Sequence, residues 1–392
     1  MHAPKTFTWV VSIVFAFVGL MSAGTAEPSS PQLTPLVANV LAPPHAVPGS
    51  DRRIHLVYEI RVANATNGRM RLDRIAAIDA QAGTSLAALD AASIGARFSL
   101  GGRRGSESTE LGAFQFGVVF MHVAVEPNAV PTTLGHIIEG SSEQMSTNLS
   151  IRLAETPVIA KDAPSLGSPL RGLGYVAADG CCDSIRHVRA LLPLNGAFYL
   201  AQRFAIDWEQ IDDEGRLLRG DPKDTRSYYI YGKPVLAVAD AVVVASRNDL
   251  TDQMPGKLPE RLPIDEADGN FAILDIGGGA YALYAHMQRG SVRVQAGDRV
   301  RRGDQIGNVG NTGNSQAPHL HFQMMDRPSS LASNGIPYVF DNFSVTAVDE
   351  AGTADFDRAE ATGSRLTLTP RVPPTDSKKV LPLDLSVVDW RN

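Results

Sequence analysis

The 392-residue sequence has only two cysteines, and they are neighbours, Cys181 and Cys182. Adjacent residues can close only a small ring, so no disulfide framework staples distant parts of this chain together. A vicinal disulfide, a bond to another chain or two reduced thiols remain, and a thiolate pair can also bind metal. An excess of positive charge is missing too: 36 Lys+Arg against 42 Asp+Glu leave a net charge of -6. That balance argues against nucleic acid or an anionic membrane surface as the main partner. Beyond the N-terminus no stretch is apolar enough to cross a membrane.

The one long apolar run lies at the start. Lys5, an apolar segment over 7–21 and the small residues Gly24-Thr25-Ala26 have the anatomy of a secretory signal cleaved after Ala26. The run falls short of the about 20 residues a spanning helix needs, which makes a retained anchor the weaker alternative. No cysteine stands at the cleavage point to take a lipid. Residues 1–26 are therefore expected to be a signal peptide. The mature chain is expected to be exported to the periplasm or cell envelope without a stable membrane span.

The length suits two globular domains. Residues 31–166 read as an all-β, sandwich-like domain. The run over 55–63 is β-rich and alternates in part, and 98–100 and 114–125 resemble further strands. Asn67-Gly68, Gly101-Gly102 and Pro127-Asn128 supply turns, while 86–94 suits a short helix. His45, His55, His122 and His136 lie here with no partner at ligand spacing, so core or edge histidines are expected rather than a second metal site. Such a module is expected to position the domain that follows or to shield its groove. Residues 167–180, rich in glycine and proline, read as a connector.

In the second half, His319 and His321 lie two apart on a strand-like run, so both imidazoles project from one face while Leu320 and Phe322 point to the core. Two imidazoles on a rigid strand suit zinc. Upstream stand Tyr284-Ala285-His286 and a glycine-punctuated meander from Gly297-Asp298 through Gly303 and Ile306-Gly307 to Gly310. In these motifs residues 181–342 resemble the LytM or lysostaphin-like zinc metallopeptidases, which share the Tyr-Ala-His turn, the Gly-Asp hairpin segment and Pro-His-Leu-His-Phe in this order. Carrier domains share the glycine-aspartate hairpin, but no lysine sits at a hairpin tip here as a carrier would need. The resemblance implies an antiparallel β-sheet peptidase domain, giving an all-β chain overall, with residues 343–392 as a C-terminal extension.

The resemblance also implies zinc ligands at Asp207 and His321, with His286 and His319 beside the metal as catalytic groups. One would take a proton from water and the other would stabilise the charged intermediate. Where the family has its first ligand histidine, four residues before the aspartate, this chain has Arg203. A guanidinium stays protonated and offers no lone pair. His187 is the candidate replacement. If 186–192 and 198–207 pair as a hairpin with a three-residue loop, His187 stands across from Arg203 on the same face. A two-residue turn puts it opposite Gln202 or Phe204, on the other face. In the opposing case Arg203 pairs with Asp207 and no zinc binds.

Two functions follow. The first is an exported zinc metalloendopeptidase acting on amide bonds of peptidoglycan peptides. The second is a non-catalytic relative that binds peptidoglycan or regulates another cell-wall hydrolase. Tyr284 suits either groove or core. The proline-rich, charged stretch over 247–269 is expected to fold over one side of the groove.

Overall fold

The computed structural model describes residues 33–101, 108–142 and 148–390. The expected signal peptide lies outside the described residues. The N-terminal part is two five-stranded antiparallel sheets. In one, Leu36–Val40, Ile54–Asn64, Phe116–Val125 and Phe98–Leu100 run in that order, with Val47–Pro48 at the side. In the other, Leu149–Pro157, Thr133–Ser141, Met70–Asp79 and Ser85–Asp90 follow one another, with Glu110–Leu111 beside Met70–Asp79. Their facing side chains, among them Leu56, Tyr58, Ile60, Val119 and Met121 from one sheet and Met70, Leu72, Ile75 and Ile138 from the other, form one apolar core.

Strand Ile54–Asn64 explains why its alternation is only partial in sequence. Leu56, Tyr58, Ile60 and Val62 face the sandwich core, whereas Val57 belongs to the core of the second half. A strand buried on both faces loses the polar half of its period. Strand Phe116–Val125 behaves likewise: Val118 and Phe120 turn outward and pack against Leu191 and Leu200. The expected helix over 86–94 is instead mostly the strand Ser85–Asp90, followed by a short helix Ala91–Ala96 that the Asp90 side chain caps by accepting from Ser93 N.

The second half is built on a ten-stranded antiparallel sheet. Its order is Arg299–Val300, Ala241–Arg247, Asn270–Gly277, Ala280–Met287, Leu320–Met325, Ile206–Gln210, Gly172–Ala178, Ser386–Trp390, Phe343–Asp349 and Leu368–Ser377. The stretch 167–180, expected as a connector, thus supplies a central strand, irregular because Gly172 and Gly174 adopt positive φ. Within 343–392, expected as an extension, Phe343–Asp349, Leu368–Ser377 and Ser386–Trp390 belong to the same sheet. Strand Leu368–Ser377 was obscured because Val372-Pro373-Pro374 interrupts its apolar pattern. One core face is an aromatic cluster in which Trp208 lies 6.0 Å from Phe340 and 5.4 Å from Trp390, and Phe322 lies 5.2 Å from Tyr284. Tyr284 is fully buried and its hydroxyl accepts from Val238 N, so it is a core residue.

The two halves are joined by charge as well as by apolar contact. Arg203 Nε and Nη2 donate to the two carboxylate oxygens of Glu59 at 2.9 and 2.7 Å, and Nη1 donates to Gly335 O. Glu59 is 0% and Arg203 6% exposed. Removing one partner leaves a buried, unpaired charge, which costs about 3–5 kcal/mol, whereas replacing both by apolar groups is close to neutral. Arg203→Met should therefore lose about that much stability in urea unfolding, and Arg203→Met combined with Glu59→Leu should recover most of it. A single variant as stable as the parent would show that the pair does not hold the halves together.

Candidate metal centre

Strand pairing sets Asp207 directly beside His321, and His321 beside Ala285. Because side chains alternate, Ile206 and Trp208 enter the core while Asp207 and Glu209 leave it on the other face. In the same way Leu320, Phe322 and Met324 enter the core, and His319, His321 and Gln323 share the opposite face. At the end of Ala280–Met287, His286 adopts φ +61. Its amide donates to Asp268 O and its carbonyl accepts from Gly310 N. A Cβ on Gly310 would lie 2.3 Å from Gln288 N, so only glycine lets that loop approach His286 closely.

His187 reaches the site, but not through a hairpin with Arg203. Only Leu192–Leu194 and Ala197–Tyr199 pair, around a two-residue turn in which Asn195 and Gly196 both have positive φ. That turn is of the kind that suits the twist of the flanking strands. His187 sits beyond the hairpin in a looped segment folded around Asp179. The Asp179 carboxylate accepts from Ser184 Oγ at 3.0 Å and Arg186 Nη1 at 2.7 Å, and its carbonyl accepts from His187 Nδ1 at 2.9 Å. The segment is also tied to the sandwich: Arg97 pairs with Asp183, Arg189 donates to Asp183 Oδ1 at 2.9 Å, and Arg189 Nη1 donates to Ala96 O at 2.6 Å. The expected opposing pair of Arg203 with Asp207 does not form, because Glu59 takes the guanidinium.

The donor atoms converge. His187 Nε2 is 3.3 Å from Asp207 Oδ2, His321 Nδ1 is 2.8 Å from Asp207 Oδ1, and His319 Nε2 is 3.4 Å from Asp207 Oδ1. The rings of His286 and His319 are 4.7 Å apart. Donor atoms of His187, Asp207 and His321 all lie within 4.8 Å of one another, as do those of His286, His319 and His321.

Each imidazole has its other nitrogen occupied. His187 Nδ1 donates to Asp179 O, His286 Nδ1 to Thr312 O and His319 Nδ1 to Ala317 O. Gln323 donates its amide to Ser330 O and so turns Oε1 to His321 Nε2 at 2.8 Å. With those protons placed outward, the inward nitrogens present lone pairs to a carboxylate that also only accepts. Such a set requires a cation between its members, and two nitrogens with one carboxylate suit zinc with a position left open.

Without a metal, protons take that part. Burial would push His187 down, but Asp207 beside it outweighs this and raises it to about 9. Burial would raise Asp207, yet the charges of His187 and His319 and the hydrogen bonds of His187 and His321 hold it well below the usual range. Burial, reinforced by the neighbouring histidines, pushes His286 well down, and burial lowers His319 against the pull of Asp207. These two are neutral imidazoles at pH 7.

The cleft has a volume of about 440 Å³, and Glu209, Asp179 and Glu360 also line it. Sequence reasoning missed Gln323 and Glu209, although each lies two residues beyond a recognised site residue on the same strand face. It also missed Asp179, hidden in the supposed connector, and Glu360, which comes from the C-terminal helix Thr353–Thr362. The cysteines form the vicinal disulfide, Cys181–Cys182. His55 and His122, 2.9 Å apart, bring donor atoms near Cys182, whose sulfur is engaged in that bond. His136 hydrogen-bonds Tyr58.

A β-sheet cleft with four histidines around a strand aspartate is the class of site that holds a single divalent metal. Residues 227–333 match the family model described as Peptidase family M23. His286, His319 and His321 fall inside the matched residues, whereas His187 and Asp207 precede them. Peptidoglycan DD-endopeptidase ShyA of Vibrio cholerae is 31% identical over 108 residues, 27% of this chain and 21% of that protein. Glycyl-glycine endopeptidase ALE-1 of Staphylococcus capitis is 33% identical over 111 residues, 28% of this chain and 26% of that protein. The chain therefore spans only about a fifth to a quarter of the length of these relatives. The catalytic domain of lysostaphin from Staphylococcus simulans aligns at 22% identity and a TM-score of 0.23 over 42% of this chain and 88% of that one.

The proton on His187 makes stability depend on pH in a defined direction. Its folded value of about 9 exceeds the ordinary 6.5, so the stabilisation is complete below about pH 6.5 and is lost as pH rises through about 9. Unfolding midpoints of the chelator-treated chain should fall across that window, and His187→Gln should flatten the fall. An unchanged slope in the variant would contradict the pairing with Asp207.

Proposed function

We propose that the protein is an exported zinc metalloendopeptidase that hydrolyses amide bonds in peptidoglycan peptides. The observation that carries this reading is the convergence of His187 Nε2, His321 Nδ1 and Asp207, each histidine having its outer nitrogen already bonded. The M23 domain and the endopeptidase names of its relatives support the substrate class. The signal-like N-terminus supports export. The non-catalytic alternative leaned on Arg203, and that residue is committed to Glu59.

In this reading His187, Asp207 and His321 hold the ion. Bound zinc would supply a Lewis acid and a water whose pKa falls toward about 7. His319 and His286, neutral and held by Ala317 O and Thr312 O, lie beside that position with their second nitrogens turned into the site. One takes the water's proton. That proton would pass to the leaving amine, while the other histidine would take a proton from solvent as negative charge develops on the carbonyl oxygen and donate it there. Gln323 keeps the ring of His321 oriented throughout, and Asp179 does the same for His187.

The purified mature chain should contain one zinc and release soluble fragments from isolated peptidoglycan. His187→Ala and Asp207→Ala should each lose the metal and the activity together. His319→Ala should retain zinc while kcat falls about 10²–10⁴-fold. Metal analysis and mass spectrometry of the released fragments check both outcomes. A metal-free parent chain that releases nothing would overturn the proposal.

A further inference from the structure

We propose that His55, His122 and Cys182 form a second metal site, at the joint between the two halves, which takes zinc or a softer cation once the Cys181–Cys182 disulfide is reduced. None of the three lines the cleft that holds Asp207. The imidazoles come together by strand register. His55 pairs with Ala124 and His122 with Val57, on the neighbouring strands Ile54–Asn64 and Phe116–Val125, so the two histidines are diagonal neighbours on one face. That face points away from the sandwich core and carries Val57, Val118 and Phe120 against the second half.

His55 Nδ1 lies 2.9 Å from His122 Nε2, close to the about 3.3 Å that separates two nitrogens on one tetrahedral zinc. The other nitrogen of His55 donates to Asp51 Oδ1 at 3.0 Å. A carboxylate behind a histidine is the arrangement that orients a ligand ring and fixes its tautomer. Burial, helped by His55, lowers His122 to about 4, so it stands neutral, as a ligand must.

Cys182 arrives from the second half. Asp384 N donates to Cys181 O at 2.8 Å and Leu383 N to Ser50 Oγ at 3.3 Å, so the C-terminal segment docks the cysteines beside the loop that holds Asp51. Donor atoms of His55, His122 and Cys182 lie within 4.8 Å of one another. In the disulfide the Cys182 sulfur carries no charge to offer a cation, whereas the thiolate is a metal ligand. A dithiol supplies the change: it becomes a disulfide, and its two electrons and two protons leave Cys181 and Cys182 as thiols. Binding then releases the Cys182 proton to solvent and moves the proton between the rings to the far nitrogen of His122. A cavity of about 230 Å³, lined in part by Ser50, Asp51, Leu383 and Asp384, opens beside the joint. Two imidazoles and one thiolate select zinc or copper(I) over magnesium or calcium.

The test loads the purified, oxidised full chain with zinc, removes the excess, and titrates cobalt(II) with and without a phosphine that reduces the disulfide. Cobalt binds nitrogen and oxygen sites more weakly than zinc, and only a thiolate ligand gives a sulfur-to-cobalt charge-transfer band in the near ultraviolet. The reduced chain should take up one more metal ion than the oxidised chain and show that band. Cys181→Ser, which leaves the Cys182 thiol free, should show it with no reductant. Asp51→Asn should weaken the binding about 10–100-fold, and His122→Ala should weaken it further. Cys182→Ser should show no band in either state. Absence of the band from both the reduced chain and Cys181→Ser would overturn the site, as would a band that survives His122→Ala with its affinity unchanged.

Discussion

The ion pair of Arg203 with Glu59 constrains everything around the site. Two full charges withdrawn from water must stay together, so the first residues leading into Ile206–Gln210 are fixed against the sandwich. The same surface fixes the segment that carries His187, through Arg97 with Asp183, Arg189 with Ala96 O, and Leu191 and Leu200 on Val118 and Phe120. His187 and Asp207 meet because both are referenced to one rigid sheet. The N-terminal module is thereby part of the framework of the site, and the guanidinium that excludes a histidine at position 203 also helps to hold the structure from which another histidine is supplied.

Beyond that joint, the site is a consequence of strand geometry. Alternation sends Trp208, Leu320 and Phe322 into the aromatic core and leaves Asp207, Glu209, His319, His321 and Gln323 on one face. The packing that anchors the inward residues is what gives the outward ones their precision, since a one-residue slip would exchange the two sets. His286 departs from this regularity with its positive φ, and the backbone bonds to Asp268 O and from Gly310 N hold it there. A non-glycine residue kept in that region beside four other site groups is strain concentrated where function is expected.

Much of this was legible from sequence wherever a short local pattern carried it. His319 and His321 declared their shared face by spacing alone, and Asp207 and His286 followed from motif resemblance; the structure gathers all four at one cleft. The all-β character was readable from turn residues and β-branched runs. What escaped had non-local causes. The Arg203 partner lies at position 59, in a strand whose outward face looked like an ordinary imperfect alternation. The route by which His187 arrives depends on a loop wrapped around Asp179 and not on hairpin register, so the register reasoning named the residue for a reason the structure does not use. Gly172–Ala178 and Leu368–Ser377 were hidden by glycine and proline, which blur period-two patterns where sheets bulge. With the tail read as an appendage, the helix that brings Glu360 to the cleft had no visible role.

The central claim is that His187 takes the place Arg203 cannot fill. The most direct measurement is a crystal structure of the zinc-loaded chain with the metal located by anomalous scattering. The account predicts one peak about 2.0–2.2 Å from His187 Nε2, His321 Nδ1 and an oxygen of Asp207, with Arg203 still on Glu59. A peak that excludes His187, or a His187 ring turned away from a metal held by other residues, would contradict it.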